Sequence, residues 1–334
     1  MDLNVLEEIL KNEPEYRLKQ TKKAIFSNLI ENWDQATVIP SILREKLKRL
    51  CPLEIIGKIY HSKDKCTSKA LIVLIDKEII ETVLIRHEDG RKTVCVSSQV
   101  GCPLGCVFCA TGQRGFTRNL TASEIIEQVL FWNRYLQSQN EKVTNIVFMG
   151  MGEPFLNYDE VMAAIRIINE KHGFGVAARK ISVSTVGLPE QIKKFSEEGL
   201  QINLAISLHA TNDDLRTKLM PINKKYQIKE ILSAVDYYIK KTNRKVMFEY
   251  LMIDNVTDSE KNAHELVALL DKPLYMVNLI SYNQTDKYKP SSKEKINKFK
   301  KILRESGINV IQRFKFGQDI KGACGQLMGR ALLK

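Results

Sequence analysis

No apolar run in this 334-residue chain approaches the roughly 20 residues needed to cross a bilayer; the longest, residues 70–75, has the length of a strand. The start, MDLNVLEEIL, is acidic and amphipathic rather than basic and then apolar, so no secretory leader is expected. Internal repeats and low-complexity stretches are absent, and charged residues make up only 27%, which argues against wholesale disorder. These absences set the expectation of a cytoplasmic protein with no membrane partner. Acidic residues are in deficit: 39 Asp and Glu face 51 Lys and Arg, a net charge of +12. Such a surplus fits a polyanionic partner and fits a lysine-rich soluble protein equally well. Cysteines number seven, and in a reducing cytosol they are not a disulfide framework.

Residues 1–90 read as a separate N-terminal module. Helical periodicity covers 3–10, 16–31 and 40–50, and residues 70–75 and 79–85 alternate as a hairpin before Gly90 breaks the pattern. The rhythm then changes to strand, loop and helix, repeated. Strands are expected at 93–100, 145–149, 180–186, 202–208, 246–253, 275–281 and 308–314. Helical patterns lie between them, the first opened by a capping box at Thr121-Ala-Ser-Glu124. This alternation predicts an α/β fold, a partial (β/α)6 barrel over residues 91–285, with sites at the C-terminal strand ends. Residues 286–334 form a basic extension, with 13 Lys and Arg against 4 Asp and Glu.

Three cysteines, Cys102, Cys106 and Cys109, fall within eight residues as C-x3-C-x2-C, after the first strand and before the first helix of the array. Three thiolates on a tight loop suit a 4Fe–4S cluster with one iron left without a protein ligand. The amino and carboxylate groups of S-adenosylmethionine (SAM) can chelate that iron. The alternative is a structural zinc site in a non-catalytic RNA-binding protein. Zinc wants four ligands, usually as two paired knuckles; the next cysteine downstream is Cys324, and His209 has no pairing partner.

The loop resembles the radical SAM signature, and its surroundings resemble one branch, the RlmN/Cfr family of adenosine C2/C8 RNA methyltransferases. The segments that carry the resemblance are Glu13-Pro-Glu-Tyr-Arg17, Cys95-Val-Ser-Ser-Gln-Val-Gly-Cys102, Phe148-Met-Gly-Met-Gly-Glu-Pro154, Ser207-Leu-His209, Leu219-Met-Pro-Ile-Asn223 and Gly322-Ala-Cys-Gly-Gln326. They span nearly the whole chain. Pro154 looks more like the C2-methylating housekeeping branch than the C8-methylating antibiotic-resistance branch.

The resemblance implies two SAM molecules per methyl group. Cys324 accepts a methyl from the first, the second is cleaved to a radical, and the activated methyl carbon adds to adenine C2. Cys95 assists proton removal and resolves the adduct as a Cys95–Cys324 disulfide, which an external thiol reduces. Glycines around Cys324 give a backbone that lets the thiol move between two partners. By resemblance, Gly152, Glu153, Ser184, Ser207, Leu208, His209 and Asn283 bind SAM, and Glu81 is a general base on a hairpin, expected to be exposed. The expected partners are 23S ribosomal RNA, transfer RNA, an electron donor and a thiol reductant, and the protein is expected to be a monomer. Phosphate contacts are expected from the N-terminal module, from Arg114 and Arg118, and from Lys293, Lys295, Lys298, Lys300, Lys301 and Arg304, whose bland reading is a solvated helix face.

Overall fold

The structure, a computed structural model, describes residues 1–284, 287–313 and 316–329. The chain opens with helices α1 (Leu3–Leu10), α2 (Glu15–Phe26) and α3 (Ser41–Leu50), followed by strands β1 (Ile56–His61), β2 (Thr67–Val73), β3 (Ile79–Arg86) and β4 (Lys92–Val96). Next come β5 (Gln99–Gly101), α4 (Ala110–Arg114) and β6 (Phe116–Asn119). The alternating region holds α5 (Ala122–Gln137), β7 (Asn145–Phe148), α6 (Tyr158–Asn169), β8 (Ile181–Thr185), α7 (Pro189–Ser196) and β9 (Asn203–Ser207). It continues with α8 (Asp213–Leu219), α9 (Ile228–Thr242), β10 (Val246–Met252), α10 (Glu260–Leu269), β11 (Tyr275–Ser281), α11 (Lys293–Glu305) and β12 (Asn309–Arg313). Phe314, the last residue of the expected final strand, lies outside the described residues.

Ten strands form one sheet in the order β1-β2-β3-β4-β7-β8-β9-β10-β11-β12. From β4 onward every neighbouring pair is parallel, as repeated βα units require. Strands β7 to β11 alternate buried residues with few polar ones, because helices cover the outside and side chains fill the inside. β1, β2 and β3 pair antiparallel with one another and then with β4. The break at Gly90, where φ is +85°, is therefore a turn inside the sheet. One hydrophobic cluster runs from Met1 to Leu327. α1 and the segment after α2 sit against α5: Leu3 N–H donates to Ser123 Oγ at 3.0 Å, and Arg134 donates to the carbonyls of Ile30 and Leu53.

Three local differences from the sequence reading have physical causes. The second helix stops at Phe26 rather than residue 31 because Leu29 takes a left-handed φ of +57° and Ile30 N–H closes back on Ala24 O. This is a helix-ending motif without the usual glycine. The first barrel strand stops at Val96 because Ser97 N–H turns out of the ladder to Gln128 Oε1 at 2.8 Å, and β5 pairs with β6 in a separate small sheet. β1 went unread because IGKIYH is an exposed edge strand that buries no clean face.

The capping box is present: Thr121 Oγ1 accepts from Glu124 N–H at 3.2 Å, and Glu124 Oε2 from Thr121 N–H at 2.9 Å. Thr121→Ala should lower stability by about 1 kcal/mol, measured as a shift in the denaturation midpoint with unchanged slope.

Candidate active site

The cysteine loop is pinched at its base. Gly101 has φ +78°, and a Cβ there would lie 1.9 Å from Gly115 O, while Cys102 N–H donates to that same oxygen at 2.9 Å. Cys109 N–H donates to Cys106 O, and Val107 N–H to Leu219 O, which fixes the loop against the end of α8. Cys102, Cys106 and Cys109 all line one cavity. Burial pushes the Cys102 thiol up to about 12 and raises that of Cys106 as well. Buried thiols of this kind ionise when a cationic metal centre compensates their charge. Among the described residues, no three His, Cys, Asp or Glu side chains are placed to hold a single metal ion. A 4Fe–4S cluster makes a different demand, one thiolate per iron around a shared cavity, and these three thiols meet it.

The opposite wall comes from the C-terminal ends of β7 to β10, where Gly152, Glu153, Ser184, Ser207, His209 and Glu249 line the same cavity. Gly150 and Gly152 permit close approach: a Cβ at either would fall within 3 Å of Val96 O or of Gln99. Glu153 accepts from the amides of Phe155 and Val186 at 3.0 and 2.9 Å, and burial pushes its carboxyl up to about 7. His209 adopts φ +58°, donates its amide to Glu249 O and meets Phe108 edge-on at 5.1 Å. Burial, aided by the nearby Arg216 cation, holds its imidazole neutral down to about pH 3.

One wall residue and one residue buried behind the wall went unread in the sequence. Glu249 sits mid-strand in VMFEYLM, and its Oε2 accepts from Ser184 Oγ at 2.6 Å and Ser207 Oγ at 3.3 Å. The signal was there, a lone carboxylate in an otherwise apolar strand. Arg216, fully buried on α8, donates to the carbonyls of Val186, Ser207 and Leu208 and to Asn223 Oδ1. It ties the ends of β8 and β9 together, and nothing in the charged pattern of α8 marks it out. Leu208 lies behind the wall rather than on it.

Cys324 also lines the first cavity, and it lines a second, smaller one together with Cys95, Val83, Ile85, Asn283 and Phe316. It is thus the one cysteine on both walls, and Cys95 belongs to the second only. Asn283 stands away from the expected SAM wall; its Nδ2 donates to Cys324 O at 3.0 Å. The Cys324 loop, expected to be mobile, is seated on α4: Ala110 N–H donates to Gly325 O at 2.8 Å and Thr111 Oγ1 to Leu327 O at 2.7 Å.

Other expected residues are placed differently. Glu81 is buried rather than exposed and lines neither cavity. Arg114 pairs with Glu78 and donates to the carbonyls of Ile79, Met328 and Gly329, and Arg118 bridges Asp76 and Glu124. Neither guanidinium is presented to a phosphate. On α11, Lys295, Lys298 and Lys301 are paired with Asp254, Glu260 and Glu305, so half of the six expected cations of this row are neutralised.

A parallel barrel sheet whose first loop offers three thiols to a cavity at the strand ends defines the radical SAM class, and residues 96–267 match the family model described as the radical SAM superfamily. A protein named "Probable dual-specificity RNA methyltransferase RlmN" from Dictyoglomus turgidum is 46% identical over 330 residues, covering 98% of this chain and 94% of that protein. Its namesake from Carboxydothermus hydrogenoformans is 48% identical, covering 96% and 93%. The crystal structure of a radical SAM methyltransferase from Sphaerobacter thermophilus superposes with a TM-score of 0.94 at 43% identity, covering 99% of this chain and 98% of that one. The chain belongs to the RlmN family of radical SAM methyltransferases.

Two outcomes follow from this geometry. Gly101→Ala should reduce iron and sulfide per chain, because the Cβ would displace the Gly115 carbonyl that closes the loop; metal analysis of the reconstituted protein measures it. Because the Glu153 carboxyl lies near 7, its anion is present above that pH and lost below it. SAM should therefore bind the cluster-loaded enzyme several-fold more weakly at pH 6 than at pH 8. Glu153→Gln should bind about tenfold more weakly at pH 8 and lose most of the pH difference, as read by equilibrium dialysis.

Proposed function

We propose that this chain transfers methyl groups from SAM to C2 of an adenosine in RNA, with 23S ribosomal RNA as one substrate and transfer RNA as another. The observation that carries the reading is the place of Cys324 on the shared wall of the two cavities. A thiol there can serve the SAM side and the base side in turn. The names of the relatives, dual-specificity RNA methyltransferases, support two classes of RNA.

When bound on Cys102, Cys106 and Cys109, the cluster supplies the single electron for reductive cleavage of SAM. The chain's own residues do the rest. Glu153 holds the ammonium of SAM, and Ser184, Ser207 and His209 hold its carboxylate and ribose. Phe108, Phe148 and Leu327 on the cavity wall exclude water. Cys324 carries the methyl group as a thioether. Adenine C2 is an electron-poor carbon that does not attack a methyl donor directly, so a covalent carrier divides one prohibitive step into several accessible ones. Cys95, on the second cavity alone, takes the proton released at C2. Its sulfur then bonds to the Cys324 sulfur as the bond from that sulfur to the transferred carbon breaks. The carbon gains a proton in place of the one Cys95 gives up, becoming the methyl group of the product. An external dithiol reduces the resulting disulfide by exchange.

C2 is closed off inside a stacked helix, so the target base is flipped or presented in a loop. With half of the α11 cations already paired, the N-terminal module and the hairpin strands supply further phosphate contacts. There Lys58, Lys63, Lys65 and Lys77 are exposed and form no ion pair among the described residues. The protein acts as a monomer and draws electrons from a separate donor.

The test is to incubate anaerobically reconstituted protein with reductant, SAM and a ribosomal RNA fragment, and to identify the nucleoside by mass spectrometry. The expected product is 2-methyladenosine; 8-methyladenosine alone would overturn the assignment. Cys324→Ala should keep its cluster and cleave SAM while methyl transfer falls below detection, and normal transfer would remove Cys324 from the carrier role. A colourless, zinc-loaded protein without iron or sulfide would point to a non-catalytic RNA binder.

A further inference from the structure

Glu81 and Lys69 form an ion pair at 3.3 Å with both side chains 3% exposed. They are diagonal neighbours on the β2–β3 hairpin, since Lys69 stands opposite Val83 and Leu71 opposite Glu81. The pair faces the C-terminal segment. Lys69 Nζ donates to Lys321 O at 3.3 Å. Glu81 Oε1 accepts from the amides of Met328 and Gly329 at 3.3 and 3.0 Å. The same face holds Thr67, and a Cβ on Gly317 would come within 2.6 Å of it.

From this arrangement we infer that Lys69 and Glu81 are a positioning pair, a buried latch that grips the carrier loop on both sides of Cys324 and so sets where its thiol lies. The inference rests on Cys324 as the methyl carrier. Lys69 holds the loop three residues before Cys324, and Glu81 holds it four and five residues after. A buried ion pair is expensive to desolvate and is a poor stabiliser by itself. Here the peptide groups of the loop add hydrogen bonds to both partners, and charge-assisted bonds of this kind are the stronger ones. Glu81 Oε1 and the Lys69 ammonium gain these bonds only when the loop is seated, while Glu81 Oε2 rests on the ion pair alone. Glu81 lines neither cavity, and its Oε1 is engaged by two amides. Those two facts assign it to the loop rather than to proton transfer at the base.

The test is hydrogen exchange on the cluster-loaded protein, paired with the ratio of methyl transferred to SAM cleaved. Lys69→Met should speed exchange of the amides in 321–329 by roughly tenfold or more, the loss expected for one charge-assisted hydrogen bond, with β8–β10 still protected. The transfer-to-cleavage ratio should fall, and Lys69→Arg, which keeps a donor for the Lys321 carbonyl, should restore both readouts. Combining Lys69→Met with Glu81→Gln should cost less than the two single losses together, because it leaves no lone buried charge. Unchanged exchange in 321–329 would overturn the latch. So would faster exchange spread evenly over β8–β10, which would make the pair a general stabiliser. Normal methyl transfer in Lys69→Met beside a dead Glu81→Gln would return Glu81 to proton transfer. Exchange does not depend on chemistry at Cys324, so failure of the carrier role and failure of the latch are told apart.

Discussion

The buried thiols of Cys102 and Cys106 resist becoming anions without a positive partner, and this constraint shapes the walls around them. Cys102 and Cys106 are both held toward the neutral form by burial. Binding a cationic centre there is thus coupled to deprotonation of the ligands. The loop cannot relax to spread the thiols apart, because Gly101 and Gly115 are in contact at its base and Val107 is tied to Leu219. The opposite wall obeys the same electrostatics. Glu153 and Glu249 are buried, but each has oxygens that accept from amides or hydroxyls, so neither approaches the cavity as a bare charge. Arg216 is buried among carbonyls of the β8 and β9 ends, where it acts as a fixed tie.

The antiparallel extension of the sheet has a functional consequence. A parallel barrel supplies strand ends on one rim, and β7 to β10 use that rim for the first cavity. Cys324 comes from the far end of the chain and needs a separate support. β2, β3 and β4 provide it on one face, where Thr67, Lys69, Glu81, Val83 and Cys95 meet the segment from Phe316 to Gly329. Residues about 250 positions apart are thereby brought into contact. Cys95 comes to share the second cavity with Cys324 because β4 is both the last strand of this support and the first strand of the barrel.

Legibility in the sequence followed the range of the interactions. The strand–helix rhythm, the Thr121 capping box and the cysteine loop are local patterns, and the structure places them where periodicity and spacing do, apart from residues at element ends. Cys324 and Cys95 needed their surrounding motifs to stand out, since a lone cysteine carries no local signal. Glu81 was misjudged as exposed because alternation in a hairpin implies one wet face. Here both faces of β2 and β3 are covered, the second by a loop more than 230 residues downstream in sequence. Arg114 failed as a phosphate ligand for the same reason. Its partners Glu78, Met328 and Gly329 lie on two segments that only the tertiary fold brings beside α4.

Helix α4 is where these themes join. It begins immediately after Cys109, so its orientation is set by the loop that carries Cys102, Cys106 and Cys109. Its residues Ala110, Thr111 and Arg114 then hold the Cys324 loop at Gly325, Leu327, Met328 and Gly329. One short helix therefore ties the three thiols of the cysteine loop to the thiol of Cys324. A change in the cluster loop is transmitted to Cys324 through backbone hydrogen bonds, with no flexible side chain between Ala110 and Gly325. The fold keeps the two chemical roles in register by making them share a rigid element, while Lys69 and Glu81 hold the same loop from the opposite side.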